Sequence, residues 1–436
     1  MKTCFKLLLA LLVVTNVYCH ESDSHSGSEE YGRDGLVLTQ EYVDSLGVCK
    51  SHAKILDLRY LNIIAIENNA FQNCEYLIKL ELSYNRIRKI KANAFNGLFS
   101  LLELSLEFNQ IEFIAPNAFD ALINVKKFNI NNNLLKVFDA ITFNAMINLV
   151  ELYCAHNNIK NVNWDFIFNP KLEVLDFKSN EISVISRCNG TITEACPNPD
   201  GPIPIDFKIR VLDLANNKIK YISEFDFYVC RRLEILILSH NKIEAIHSKA
   251  FTYNGAIVGL KLDNNKLKDL EPNTFSCICQ VDQCYIECLS TSLPCQMQMN
   301  YLNLANNEFK KVKKHYFQHL RHLVKLTMSY NQIEEIENDS FVNNKELIDL
   351  KLDYNRIQTI TKETFKGLFN MKFLDLSFNS ISYIHEGALY FSSDLKKVCL
   401  YSNPITKDYD VVKYLCTQKN NPHCNVQVDK PCTCNE

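Results

Sequence analysis

Cysteine is the residue type in this 436-residue chain with the most evident capacity for chemistry. Eighteen are present, and five of them lie close together in sequence: Cys277, Cys279, Cys284, Cys288 and Cys295. Such a cluster either binds zinc or pairs as disulfides. Structural zinc sites commonly carry Cys-x(2–4)-Cys pairs, and the single Cys277-x-Cys279 departs from that spacing. In a secreted chain disulfides are the expected chemistry, with zinc as the weaker alternative.

Histidine, serine and carboxylate residues are also present, but their spacing does not favour catalysis. His156 and His240 occupy the same position in a repeat, three periods apart, which is roughly 15 Å at strand spacing and too far to share a metal. No strand-end motif assembles a catalytic triad. Asp353 and Asp375 fall on adjacent periods, yet Lys351 lies beside them. The sequence therefore predicts no enzyme, no metal site and no cofactor.

A 24-residue period organises most of the chain. The segment that begins at Leu80 and contains Leu82 and Asn85 recurs, usually at steps of 24 residues. The asparagine that marks each copy is found at Asn85, Asn109, Asn133, Asn157, Asn180, Asn217, Asn241, Asn265, Asn307, Asn331, Asn355, Asn379 and Asn403. One further copy starts at Leu56, with Leu61 in the asparagine's place. A period of this size indicates a stacked solenoid, so the prediction is an α/β solenoid of about fourteen 24-residue coils.

Each coil has two predicted core columns. The two leucines of Leu-x-Leu point the same way because alternate residues of a strand share a face, and the asparagine that follows can pair with backbone groups of the turn. Ten residues after each asparagine stands a second apolar position: Phe71, Phe95, Phe119, Phe143, Ile167, Phe227, Phe251, Phe275, Phe317, Phe341, Phe365 and Leu389. These side chains are expected to fill the wide back of each coil.

The residue immediately before each asparagine forms an outward column with aromatic residues at both ends and polar residues in the middle. Its six aromatic members are the candidate protein-binding residues: Tyr60, Tyr84, Phe108, Tyr330, Tyr354 and Phe378. Exposed aromatic residues on neighbouring coils are the type that anchors protein interfaces. The alternative is that these aromatic residues have only a structural role, since extracellular repeats often carry an aromatic residue at this position.

The ends of the chain predict secretion. Residues 1–19 resemble a signal peptide, with Lys2 and Lys6 before a short apolar run, and no later segment is apolar enough to span a membrane. We expect an acidic disordered leader at 20–35, an N-terminal cap at 36–55, repeats at 56–396 with inserted loops at 186–207 and 276–300, and a C-terminal cap at 397–436. The formal charge of -3 does not favour a nucleic-acid partner.

Repeat phase predicts two disulfides. Cys49 and Cys74 are 25 residues apart, about one period, and are expected on adjacent coils. Cys277 and Cys295 are separated by 18 residues, which is also the excess length of the interrupted repeat between Asn265 and Asn307, so they are expected to close the stem of a loop.

The sequence also suggests roles for several other cysteines and for two asparagines. Cys230 is expected to pair with Cys188 or Cys196, and Cys154, at a strand leucine position, to be a buried thiol. The cysteines near Glu436 could link an oligomer. Two Asn-x-Ser/Thr sequons make Asn189 and Asn338 candidate glycosylation sites.

The 24-residue Leu-x-Leu and asparagine pattern resembles the extracellular class of leucine-rich repeat, and with the signal and cysteine-bearing caps it resembles secreted insect leucine-rich immune proteins. No heptads precede Glu436, so the resemblance is to a member without a coiled coil. It implies a horseshoe with short parallel strands on its concave face. It also implies recognition of an extracellular protein or pathogen-surface ligand in innate immunity. The alternative is a cell-adhesion, matrix or soluble Toll-like-receptor-type protein acting in development or signalling.

Overall fold

The computed structural model describes residues 35–138, 140–160, 162, 169–185, 208–224, 226–228, 230–277, 297–407 and 424–428. The predicted signal peptide, nearly all of the predicted leader and most of the two predicted loops lie outside these residues.

The N-terminal segment packs on the first coil. Strand β1 (Leu36–Leu38) is followed by helix α1 (Gln40–Ser45), whose N-cap Thr39 accepts a hydrogen bond from the Tyr42 amide at 3.1 Å. Strand β1 pairs in parallel with β3 (Ile63–Ile66). Leu38 of β1 and Val43 of α1 are fully buried, so this segment closes the end of the core.

Fifteen short strands form one parallel sheet in the described residues, in chain order. They are β2 (Ile55–Asp57), β4 (Lys79–Glu81), β6 (Glu103–Ser105), β8 (Lys127–Asn129), β9 (Glu151–Tyr153), β10 (Val174–Asp176), β11 (Val211–Asp213), β13 (Ile235–Ile237), β15 (Gly259–Lys261), β16 (Tyr301–Asn303), β18 (Lys325–Thr327), β20 (Asp349–Lys351), β22 (Phe373–Asp375), β24 (Lys397–Cys399) and β25 (Asn425–Gln427). The predicted parallel-strand solenoid of 24-residue coils is confirmed, with about 13 turns.

Shorter strands pair outside this sheet, and 3₁₀ turns are found at Ala140–Phe143 and Pro404–Lys407. The short pairs are β5 (Lys89–Ile90) with β7 (Phe113–Ile114), β12 (Tyr221–Ile222) with β14 (Ala245–Ile246), β17 (Lys311–Val312) with β19 (Glu335–Ile336), and β21 (Thr359–Ile360) with β23 (Tyr383–Ile384).

The long sheet keeps its register across both interruptions of the period. Leu175 of β10 pairs with Leu212 of β11, although their coils are 37 residues apart. Leu260 of β15 pairs with Leu302 of β16 across 42 residues. Both insertions therefore leave the coil at points that do not disturb strand pairing. Met297 and Met299, at the end of the predicted second loop, are fully buried in the core.

The asparagines form a buried ladder. The Asn85 amide donates to the carbonyl oxygens of Leu58 in the preceding coil and Leu82 in its own coil, both at 2.9 Å. Its Oδ1 accepts from the backbone amides of Ile63 at 3.0 Å and Leu61 at 3.1 Å. All thirteen repeat asparagines are at most 8% exposed. Each amide thus joins two coils and satisfies backbone groups inside the core.

The second core column is buried as predicted along the described chain, with Ile167 outside the described residues. Phe71 and Phe95 are fully buried and stack with ring centroids 6.1 Å apart. Phe227 and Phe251 repeat this arrangement at 6.0 Å. A single coil cannot bury its own apolar face, so stability comes from contacts between neighbouring coils.

The cysteines among the described residues are either disulfide-bonded or free buried thiols. Cys49 and Cys74 form the disulfide that their spacing predicts, with Cα atoms 4.5 Å apart. Cys277 is also disulfide-bonded; its predicted partner Cys295 lies outside the described residues. Cys154 is a buried free thiol, as predicted. Near the C-terminus Cys399 and Cys424 are disulfide-bonded as well.

The predicted pairing of Cys230 with Cys188 or Cys196 is wrong. Cys230 is a free thiol with no exposed surface. It stands three residues after Phe227, where Leu98 and Leu122 stand relative to their own phenylalanines, so it fills a core position. Burial raises the pKa of this thiol to about 12, which keeps it protonated.

Candidate functional site

The outward side chains of the long sheet and of the turn that follows each strand form one continuous surface, here called the sheet face. In the strands from β2 to β22 of the long sheet the central residue, such as Leu80 or Leu104, is buried, while the residues on either side of it are turned outward. The turn residue just before each ladder asparagine extends the same surface. All six candidate aromatic residues lie in this turn position.

These turn residues share a backbone conformation that is unusual for their type. Every member of the column has a positive φ between 50° and 60° in the described chain: Tyr60, Tyr84, Phe108, Asn132, His156, Ser179, Asn216, His240, Asn264, Asn306, Tyr330, Tyr354, Phe378 and Ser402. The left-handed region disfavours residues with a Cβ by about 1–2 kcal/mol. This conformation lets the strand turn directly into the buried asparagine. The backbone amide of the turn residue can also bond to the next coil, as the Tyr84 amide does to the Glu107 carbonyl oxygen at 3.0 Å. These two gains offset the cost of the left-handed backbone.

Three candidate residues form the N-terminal stack: Tyr60, Tyr84 and Phe108. Ring centroids are 4.7 Å apart between the tyrosines and 4.5 Å apart between Tyr84 and Phe108, with nearly parallel planes. The three residues are 68%, 39% and 41% exposed in chain order. Both faces of the Tyr84 ring are covered by neighbours, so the row presents ring edges to solvent.

The other three form the C-terminal stack: Tyr330, Tyr354 and Phe378. Their successive centroid distances are 4.2 Å and 4.1 Å. Tyr401 extends this row with an edge contact to Phe378 at 5.2 Å. Tyr401 was missed from the sequence because it stands two residues before Asn403 rather than one. Its position one coil beyond Phe378 is the signal that could have found it.

The middle of the sheet face is polar and contains an unfavourable carboxylate pair. Asp176 on β10 and Asp213 on β11 lie opposite each other in register. Burial raises the pKa of both carboxyl groups, and the charge of Asp213 raises the pKa of Asp176 further. Each side chain accepts a backbone hydrogen bond at 2.8 Å, from Lys178 and Ala215 respectively, which favours the charged form.

The two candidate histidines are not brought together. His156 follows β9 and His240 follows β13, with β10 and β11 between them. In the described part of the chain, no group of three or more histidine, cysteine or acidic residues is arranged to hold a metal ion. None of the described helices is long and apolar enough to cross a membrane.

Asn338, one of the two candidate glycosylation sites, lies away from the sheet face. Asn338 is exposed in the turn after β19, while Ser340 of its sequon is buried and donates to the Glu337 carbonyl oxygen at 2.7 Å. Asn189 lies outside the described residues.

A family profile described as "Leucine rich repeat" matches residues 51–111, 100–159, 231–283, 298–357 and 345–405, together more than half of the chain. Toll-like receptor 10 of Bos taurus is 28% identical over 128 residues, which are 29% of this chain and 15% of the receptor. The match thus spans under one sixth of that relative's length.

Solved structures share the fold at low identity. The glycosylated Toll–Spatzle complex of Drosophila matches with a TM-score of 0.63 and 17% identity, covering 91% of this chain and 60% of that chain. The APL1 leucine-rich repeat domain matches with a TM-score of 0.58 and 19% identity, covering 91% of this chain and 84% of that domain. The strand register, the asparagine ladder and the profile match agree, and the chain belongs to the leucine-rich repeat family.

Proposed function

We propose that this chain is a secreted binding protein of extracellular innate immunity that recognises another protein through an aromatic stack on its sheet face. The observation that carries the proposal is the pair of exposed stacks at the two ends of an otherwise polar surface. Tyr60 and Tyr330 are 68% and 49% exposed, so a large ring area remains in contact with water. Tyrosine is enriched at protein interfaces because it combines apolar area with a polar hydroxyl.

The rigidity of the stacks supports a binding role. Each ring is held by a neighbour about one strand spacing away and by a backbone fixed through the asparagine ladder. A side chain that is already ordered loses little conformational entropy when a partner covers it. Repeat solenoids also use extended surfaces of this kind for binding.

Secretion is supported by several independent features. The first 19 residues resemble a signal peptide, and the Cys49–Cys74 disulfide is typical of an oxidising compartment. The sequon at Asn338 stands in an exposed turn where a glycan can be carried. The cysteines near the C-terminus would join copies of the chain in an oligomer, which is disulfide-linked or non-covalent.

The immune assignment draws on the relatives. One is named as a Toll-like receptor, and the Toll–Spatzle complex is described as a molecular hub in Drosophila development and innate immunity. That description also supports the second candidate, a soluble ligand-binding or adhesion protein in development. Induction of the transcript by infection, compared with its level in developing muscle and nerve, separates the two candidates.

Affinity capture tests the binding role. The tagged mature protein is incubated with extracellular fluid of the source organism, and bound proteins are identified by mass spectrometry. Two double variants, Tyr84→Ala with Phe108→Ala and Tyr330→Ala with Tyr354→Ala, remove one stack each. Loss of a hot spot costs about 2 kcal/mol or more, so one of the double variants should weaken capture by about thirtyfold or more.

The control is Phe113→Ala, an exposed aromatic residue of the same coil as Phe108 that lies on β7, outside the long sheet. It should leave capture unchanged. Equal capture by wild type and both double variants, with all proteins folded, would refute the role of the stacks.

A further inference from the structure

A depression of about 210 Å³ lies on the sheet face beside the N-terminal stack. Its lining reaches from Arg59 to Asn129 and includes Tyr84, so it crosses the strands of three neighbouring coils. Pockets for small molecules usually measure about 300–1,000 Å³. The volume of this depression is therefore better suited to a single side chain of a protein partner than to a small molecule.

Two of the three basic residues in the lining form ion pairs with carboxylates that lie outside the depression. Arg59 pairs with Asp57 at 2.6 Å, and Lys127 pairs with Glu151 at 3.0 Å. Neither Asp57 nor Glu151 contributes to the lining. These two cations thus add little positive charge to the depression.

The remaining charges leave the depression negative. Glu81 and Glu103 share one cation, Lys79, at 2.9 Å and 3.4 Å. Glu107 accepts a hydrogen bond from the neutral amide of Asn129 at 2.8 Å and has no ion pair among the described residues. Three carboxylates therefore face one shared ammonium group.

We infer that this depression binds an arginine or lysine side chain of the protein partner, with Glu107 as the principal ion-pair acceptor. The Glu107 side chain is partly buried, and an ion pair there is stronger than one in open water. The adjoining edges of Tyr84 and Phe108 would contact the neighbouring residues of the same partner segment. This inference rests on the proposed function, because it requires the partner to cover the N-terminal stack.

A random-peptide display library provides the probe. Peptides are selected on the wild-type protein, and the affinity of each is measured against wild type, Glu107→Gln, Glu112→Gln and the two double stack variants. Glu107→Gln keeps an oxygen acceptor for Asn129. Glu112→Gln makes the same charge change at an exposed site of the same coil, away from the depression. Thermal unfolding of each variant confirms that it is folded.

Peptides that depend on Tyr84 and Phe108 should share one basic position. Replacing that arginine by citrulline, which is neutral and similar in shape, should weaken binding about tenfold, since a hydrogen bond to a charged group contributes that much. Glu107→Gln should weaken the arginine peptide equally and the citrulline peptide hardly at all, while Glu112→Gln changes neither. This non-additivity is the signature of a direct pair.

Three outcomes overturn the inference, and they differ in what they say about the stacks. Peptides lost in the Tyr84/Phe108 variant but unaffected by Glu107→Gln leave the proposed function standing without the basic residue. Peptides lost only in the Tyr330/Tyr354 variant move binding to the C-terminal stack. Peptides indifferent to both double variants refute both the inference and the proposed function.

Discussion

Each ladder asparagine supplies hydrogen bonds that a tightly turning chain cannot make with its own backbone. The Asn109 amide donates to the Leu82 and Leu106 carbonyl oxygens at 3.0 Å each, and its oxygen accepts from the Ile87 amide at 3.1 Å. Alanine would leave these groups buried and unpaired. The ladder is thus a set of single-residue contributions that can be measured one at a time.

Asn109→Ala should lower the free energy of unfolding by about 1–3 kcal/mol, because unsatisfied buried backbone groups carry that penalty. Asn355→Ala is the matched test near the other end of the sheet. Chemical denaturation followed by circular dichroism gives the number. The control Asn68→Ala, at an exposed position, should stay within about 0.5 kcal/mol of wild type. A ladder variant as stable as that control would show that its amide is not needed.

The Asp176–Asp213 pair predicts a pH dependence of the opposite sign to that of a salt bridge. Burial raises the pKa of Asp213 above its ordinary value of 3.8. The folded state therefore binds protons more tightly than the unfolded state. The free energy of unfolding contributed by this group falls as pH rises from 3.8 through the raised pKa.

Asp213→Asn should therefore raise the melting temperature at pH 7, and this gain should shrink as the pH approaches 4. The amide oxygen can still accept the hydrogen bond from Ala215. Glu234→Gln is the opposite control, because the hydrogen bond from Arg210 lowers the pKa of Glu234. It should lose a little stability at pH 7. A lower melting temperature for Asp213→Asn at neutral pH would contradict the assigned sign.

At the scale of the element, the structure of each short strand and of the turn that follows it was only partly predictable from sequence. The spacing of Leu80, Leu82 and Asn85 predicts which side chains are buried, because burial follows from period alone. It does not predict that Tyr84 adopts a left-handed backbone, since propensity argues against that conformation for an aromatic residue. The stacking of Tyr84 on Phe108 follows from that backbone and from strand spacing, so it too required the structure.

Cys230, by contrast, could have been placed correctly from the sequence. Its sequence neighbourhood suggests a bridge to a nearby loop, whereas its place in the coil makes it a core side chain. Counting from Phe227 would have shown this, because the third residue after that phenylalanine is apolar in several other coils. Periodicity outweighs local cysteine density in a repeat protein.

The left-handed column gives a test of the turn itself. Ser179 has a φ of 55° on the polar middle of the sheet face. Ser179→Val should destabilise the fold by about 1 kcal/mol or more, because a β-branched residue is more strained than serine in the left-handed region. Ser179→Asn should be nearly neutral, as Asn132 and Asn216 already adopt this conformation in other coils. Urea denaturation compares the two, and equal stability would mean that the turn relaxes without strain.

At the scale of the whole molecule, the solenoid separates folding from recognition. Each coil contacts its neighbours, so a change on one coil affects distant coils little. The long sheet continues from β15 to β16 in register across the second insertion. The pairing of β15 with β16 therefore uses no residue of the inserted segment.

Deleting residues 278–295, together with Cys277→Ser, restores a 24-residue step between Asn265 and Asn307. We expect this variant to be secreted and folded, because Gly259 already pairs with Tyr301 and the core residues Met297 and Met299 are kept. Circular dichroism and thermal unfolding check the fold. If one of the aromatic stacks carries recognition, the shortened protein captures the same partner as wild type. The double variant that lacks that stack does not capture it. A folded deletion variant that has lost its partner would instead place recognition in the inserted segment, and the exposed rings would then be a structural feature of the repeat.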